Sequence, residues 1–217
     1  MHMFADRAEA GCRLAESLDK WRHSNPVVLG VPRGGVPVAF EIADALGAEL
    51  DVLVAHRLVV PGRPPLVLGG IAEDDMSVLN HSSIQACDLT RQQVAALETR
   101  SRSALDRQVA CYRQDIPRLS LAGRFVILVD DGVATGTTAS VACRSVRRRG
   151  PFRLVLASPV TTHQVIRRLR DEADEVVSLA TPELVDDVSA CYREHHDVTD
   201  AEITSLLADL LARRMAI

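Results

Sequence analysis

The chain has 217 residues, 47% of them apolar and 25% charged, a composition that supports a packed core and excludes a disordered polymer. Its net charge of −4 argues against a general nucleic-acid binder, whose phosphate contacts need a basic surface. The cations are almost all arginine, with Lys20 the only lysine, so lysine-dependent catalysis is not expected. Residues 4–21 place Phe4, Ala8, Cys12 (or Gly11), Ala15 and Leu18 at helical spacing, and Asn25-Pro26 ends that helix. Residues 27–31 read as a short buried strand entering Pro32-Arg33-Gly34-Gly35. The spacing then predicts an apolar helix over 36–46 closed by Gly47, and a strand over 50–55 ending in His56-Arg57. Strand, helix and strand make the crossover that parallel pairing requires.

Pro61, Gly62, Pro64, Pro65, Gly69 and Gly70 break up residues 59–75, which end in Glu73-Asp74-Asp75. This stretch reads as a loop or irregular hairpin, a candidate lid. A long helix is expected over 82–114, with Ile84, Cys87, Val94, Leu97, Ala104, Leu105, Val109 and Tyr112 inward and its arginines in solvent. After a break at Ile116-Pro117 and a turn at Gly123 comes a strand over 126–129. A helix from Thr138 to the Gly150-Pro151 stop, a strand over 154–158 before Pro159, a helix over 162–173 and a strand over 175–179 follow. The last helix covers 201–214, with Ile203, Leu206, Leu207, Leu210 and Leu211 inward. No repeat or linker interrupts the pattern, so a single domain is expected over 1–217, its core spanning 25–180.

Residues 1–18 lack the apolar run of a signal peptide, and no segment approaches a membrane span. Cys12, Cys87, Cys111, Cys143 and Cys191 show neither metal-ligand nor redox spacing. Reduced thiols in a cytoplasmic protein, away from membranes, are the expectation.

The chain is organised around residues 126–138, Val-Ile-Leu-Val-Asp-Asp-Gly-Val-Ala-Thr-Gly-Thr-Thr. Four apolar, mostly β-branched residues suit a strand buried on both faces. Asp130 and Asp131 stand at its C-terminal end, where open α/β sheets place ligands. Gly132, Thr135, Gly136, Thr137 and Thr138 then offer backbone N–H groups, hydroxyls and a helix N-terminus, which together suit a phosphate. Acids beside phosphate donors fit a sugar phosphate. No lysine follows the glycines as a P-loop requires, and no Gly-x-Gly-x-x-Gly marks a dinucleotide site. A phospho-acceptor aspartate lacks its usual lysine partner, and an acidic turn alone does not account for two acids, two glycines and three threonines in nine residues.

Residues 126–138 closely resemble the phosphoribosyl-pyrophosphate motif of the type I phosphoribosyltransferases, with Gly132 where most relatives carry a larger aliphatic residue. Residues 28–35 resemble that family's first strand and pyrophosphate loop, and His56-Arg57 the basic pair before its mobile catalytic loop, with His56 in place of the usual arginine. Phe4-x-Asp6-Arg7-x3-Gly11, the block opening Pro32-Arg33-Gly34-Gly35, Gly70-Ile71-Ala72-Glu73-Asp74 and Arg147-Arg148-Arg149-Gly150 are similar to a little-characterised bacterial branch of it. Residues 192–196 depart from the usual pattern.

The resemblance implies an α/β fold with a mainly parallel twisted sheet flanked by helices, and a small hood built from the terminal segments. It implies transfer of a phosphoribosyl group from phosphoribosyl pyrophosphate, with Mg²⁺, to a nitrogenous acceptor such as a nucleobase. Asp130 and Asp131 would hold the ribose hydroxyls; Ala134, Thr135, Gly136, Thr137 and Thr138, beside Gly132, the 5-phosphate. Arg33, Gly34, Gly35 and Arg57 would line the pyrophosphate, with Mg²⁺ held mainly through the ligand and Asp130 and Asp131 reaching it through water. Glu73, with Asp74 and Asp75 beside it, is the candidate acid or base from the lid, and a homo-oligomer is compatible with the family. A strained or cis peptide in the 32–35 loop fits such sites. Phe4, Trp21, Phe40, Tyr112 and Tyr192 are available to stack on a base. Two other readings stay open: a non-catalytic nucleotide or phosphoribosyl-pyrophosphate sensor, and a sugar-phosphate phosphohydrolase.

Overall fold

The computed structural model describes residues 2–60, 66–114 and 116–215. In chain order its first elements are α1 (Arg7–Leu18), β1 (Val27–Gly30), α2 (Gly35–Leu46), β2 (Glu49–Val52), β3 (Ala55–Val59), β4 (Val67–Ala72) and β5 (Met76–Leu79). Then come α3 (His81–Ala86), α4 (Arg91–Tyr112), β6 (Phe125–Val129), α5 (Thr137–Arg148), β7 (Arg153–Val160), α6 (His163–Leu169), β8 (Glu175–Ala180) and α7 (Asp200–Met215). Five strands form a parallel sheet in the order β2-β1-β6-β7-β8, and β3-β4-β5 form a separate antiparallel sheet.

Alternation along the central strands feeds both faces of the parallel sheet. Val27, Leu29, Val126, Leu128, Leu154 and Leu156 pack with Val141, Ala142 and Val146 of α5. Val28, Ile127, Val129, Val155 and Ala157 pack on the other face with Leu14 and Leu18 of α1 and Val38 and Ile42 of α2. This two-sided burial is why the strands read as unbroken apolar runs rather than as alternating ones. The N-terminal and C-terminal segments meet where Phe4 forms a parallel bridge with Tyr192.

The structure corrects several boundaries. Helix α1 starts only at Arg7, capped by Asp6, and buries Ala10, Gly11, Leu14, Ala15 and Leu18, leaving Ala8 and Cys12 exposed. The strand expected over 50–55 stops at Val52, and His56-Arg57 belong to the other sheet, where Arg57 pairs with Gly70. The candidate lid is largely that sheet, with Asp74 and Asp75 in the β4–β5 turn at φ 61° and 53°; its Pro61, Gly62, Pro64 and Pro65 lie outside the described residues. The long helix over 82–114 is two helices, because Asp88 adopts φ 50° and Thr90 with Gln93 restarts the chain through a capping box. Strand β7 runs through Pro159 to Val160, while α6 ends at Leu169. Leu211 is 47% exposed rather than inward. All five cysteines are free thiols. Among the described residues no helix is long and apolar enough to cross a membrane.

Candidate active site

From β1 the chain moves outward to β2, and from β6 outward in the other direction to β7, so β1 and β6 flank the point where the strand order reverses. Ligands of open α/β sheets bind at that crevice, outside the carboxyl ends of the strands. Here the loops after β1 and β6 meet, tied by Val31 N–H donating to the Val129 carbonyl at 2.8 Å. They line a cleft of about 540 Å³ together with His56 and Arg57 on one side and Asp187, Val188, Ser189 and His195 on the other.

One end of the cleft is built for an anion. Gly136 stands at the N-cap of α5 with φ 77°, and no side chain caps the helix. The first N–H groups of an α-helix have no partner within it, and the helix dipole adds to their pull on negative charge. Thr135, Thr137 and Thr138 line the cleft beside them, and Arg168 braces the loop from behind by donating to the Thr135 carbonyl at 3.3 Å.

The same cleft carries two guanidinium groups. Arg33 follows a cis Pro32–Arg33 peptide and is held by Asp200, at 3.0 Å from Nε and 3.3 Å from Nη2. Arg57 points from the exposed face of β3 into the same cleft. Its neighbour His56 lies 2.6 Å from Gln108 Oε1, which ties the imidazole to α4.

The acidic pair lines the cleft as well. Asp130 Oδ1 accepts the Asp131 N–H at 3.0 Å. Burial, and then the neighbouring Asp131 charge, push the Asp130 carboxyl well above the usual carboxylate range. Asp131 is clamped from the hood: Arg7 Nε donates to Oδ2 at 2.8 Å, and the Tyr192 hydroxyl donates to the Asp131 carbonyl at 2.5 Å. A Cβ on Gly34 would collide with the Asp131 carboxylate, so glycine is what lets the two loops close on each other. Gly132 has an equivalent reason. A Cβ there would strike Val188, whose side chain fills the room that a larger residue would take.

Asp130, Asp131, Gly132, Ala134, Thr135, Gly136, Thr137, Thr138, Arg33, Gly34 and Arg57 therefore surround one cleft, with Gly35 immediately behind as the first residue of α2. Glu73 does not join them. It is 5% exposed at the end of β4, accepts the Val54 N–H at 2.8 Å, and pairs with Arg118 at 2.7 Å. Glu73 thus lies away from the cleft, its carboxylate turned inward onto Arg118, while Asp74 and Asp75 stay exposed in the turn. The aromatic residues Phe4, Trp21, Phe40, Tyr112 and Tyr192 are all buried and none lines the cleft. Sequence reasoning missed Arg7, Val188 and His195. Arg7 lay inside the Phe4-x-Asp6-Arg7 motif, yet nothing local indicated a partner 124 positions away.

No family model matches the chain. Two curated Mycobacterium tuberculosis proteins, each named "putative phosphoribosyl transferase", are 42% identical to it over 207 residues, 95% of the chain. The chain spans about half, 47%, of the length of these relatives. The crystal structure of TT1426 from Thermus thermophilus superimposes with a TM-score of 0.80 at 38% identity, covering 97% of this chain and 99% of that one.

Proposed function

The chain belongs to the type I phosphoribosyltransferase family, and on that premise we propose that its cleft binds phosphoribosyl pyrophosphate with Mg²⁺ and transfers the phosphoribosyl group to a nitrogenous acceptor. The observation that carries the reading is convergence: an uncapped helix N-terminus, an acidic pair and two arginines share one cleft of about 540 Å³. A 5-phosphate, a diol and a pyrophosphate match those features in that order along one ligand.

In this reading the backbone of residues 134–138 and the hydroxyls of Thr135, Thr137 and Thr138 hold the 5-phosphate. Asp130 and Asp131 hold the ribose hydroxyls. Arg33, Gly34, Gly35 and Arg57 hold the pyrophosphate. The donor set suits Mg²⁺, which prefers phosphate oxygens and water to an all-protein cage, with the two aspartates contributing through water. When bound, the ion neutralises charge on the pyrophosphate.

The C1–O bond breaks with its electron pair leaving on pyrophosphate, and a nitrogen lone pair forms the new C1–N bond. Positive charge develops on the ribose beside the acidic pair, and negative charge on the leaving group beside Arg33 and Arg57. Fixed charges placed where charge develops lower the barrier without a protein nucleophile. The wall of Asp187, Val188, Ser189 and His195 is the proposed acceptor side.

Isothermal titration with phosphoribosyl pyrophosphate and Mg²⁺ tests the reading, and absence of binding to the wild-type protein would sink it. Pyrophosphate release against a panel of purines and pyrimidines then identifies the acceptor. Binding without release for any nitrogenous compound marks a sensor instead, and release of phosphate marks a phosphohydrolase.

A further inference from the structure

The N-terminal Phe4-x-Asp6-Arg7 motif has no place in the donor chemistry described so far, yet it converges on the acidic pair. Asp6 caps α1 by accepting the Glu9 N–H at 2.8 Å, which fixes Arg7 as the first helical residue. The Arg7 side chain is 7% exposed and all three of its nitrogens are engaged. Nε donates to Asp131 Oδ2 at 2.8 Å, Nη1 to the His196 carbonyl at 2.8 Å, and Nη2 to His195 Nε2 at 2.6 Å. Phe4 closes the same corner by bridging Tyr192, whose hydroxyl holds the Asp131 backbone.

A buried guanidinium with one carboxylate and two C-terminal partners is a rigid fork, not a solvated surface charge. It takes one oxygen of Asp131 and so fixes a carboxylate that lines the cleft. We propose that Arg7, seated by His195 and the His196 carbonyl, is a positioning residue that sets the orientation of Asp131 for the ribose diol. Both chain ends thereby become parts of ribose recognition, and the C-terminal segment reaches the pyrophosphate loop by a different residue, Asp200 on Arg33. This inference rests on the donor-site reading above.

The test compares the two parts of the donor, since Arg7 contacts Asp131 and not Arg33. Wild-type protein and Arg7→Gln are titrated with ribose 5-phosphate and, separately, with inorganic pyrophosphate plus Mg²⁺. The expected result is a loss of about tenfold or more in ribose 5-phosphate affinity, the size of one charge-assisted hydrogen bond, with pyrophosphate affinity unchanged. His195→Asn, which removes one support of the fork and no buried charge, is expected to show a smaller loss of the same selectivity. Should Arg7→Gln fail to fold, His195→Asn decides alone. Equal losses for both ligands mean a merely structural role and overturn the proposal, as does unaltered ribose 5-phosphate binding. A wild-type protein that binds neither ligand overturns the donor-site reading itself, and this inference with it.

Discussion

The Tyr112 hydroxyl donates a 2.5 Å hydrogen bond to Asp200 Oδ1, the same oxygen that receives Arg33 Nε at 3.0 Å. Gln108 Nε2 donates to the Tyr112 oxygen at 2.7 Å, so α4 and the start of α7 jointly hold the arginine of the loop after β1. The Tyr112 hydroxyl and the Arg33 guanidinium bring the Asp200 carboxyl below the ordinary aspartate range. A carboxyl whose folded pKa is depressed stabilises the fold at pH above its unfolded value and loses that contribution as pH falls through the folded one. Asp200→Asn is therefore expected to be less stable than wild type near neutrality, with the gap closing in acid below the ordinary aspartate range. Thermal melts of both proteins over that range check it.

Glu73 provides the opposite sign. Burial raises its carboxyl, and the Val54 N–H, Arg118 and Arg113 only partly offset this. Removing one partner of a buried pair is costly when it strands the other charge, but Arg118 keeps Asp74 and Arg113 keeps Asp51. Glu73→Gln is expected to match or exceed wild-type stability at neutral pH, the gain fading as pH falls through the raised value. Donor affinity in the variant should stay within about twofold, an insignificant free-energy change. A folded Glu73→Gln protein that no longer binds phosphoribosyl pyrophosphate would return Glu73 to the site.

For the acidic pair, Asp130→Asn combined with Asp131→Asn is expected to abolish binding of phosphoribosyl pyrophosphate while the protein stays folded. An amide is close in size to the carboxylate it replaces, so the double variant removes charge rather than packing. Circular dichroism and calorimetric titration on the double variant separate the two effects; wild-type affinity would refute the ribose assignment.

Gly132 and Val188 form a size-matched pair across the hood. Gly132→Val should cost roughly 1–3 kcal/mol, the usual range for overpacking a close contact. Val188→Ala should recover much of that loss when combined with it, whereas two independent sites would simply add. Denaturant unfolding of the four proteins in the cycle measures the coupling.

Much of this molecule was legible in its sequence because the relevant interactions are local. A run such as Val126-Ile127-Leu128-Val129 reads as a two-sided buried strand, and the acids, glycines and threonines directly after it are contiguous residues that line one cleft. Pro32, Arg33 and Gly34 reach the same cleft from one contiguous loop. What the tertiary structure alone decided depends on residues far apart in the chain. It moved Glu73 out of the site, because the β4–β5 turn packs onto Arg118, and it turned the candidate lid into an antiparallel sheet. It brought Arg7 in, because Asp6 starts α1 where the chain ends cross above Asp131. Spacing rules see one turn of helix or one strand at a time; the partner of a buried charge is chosen by whatever the folded chain places within about 3 Å of it.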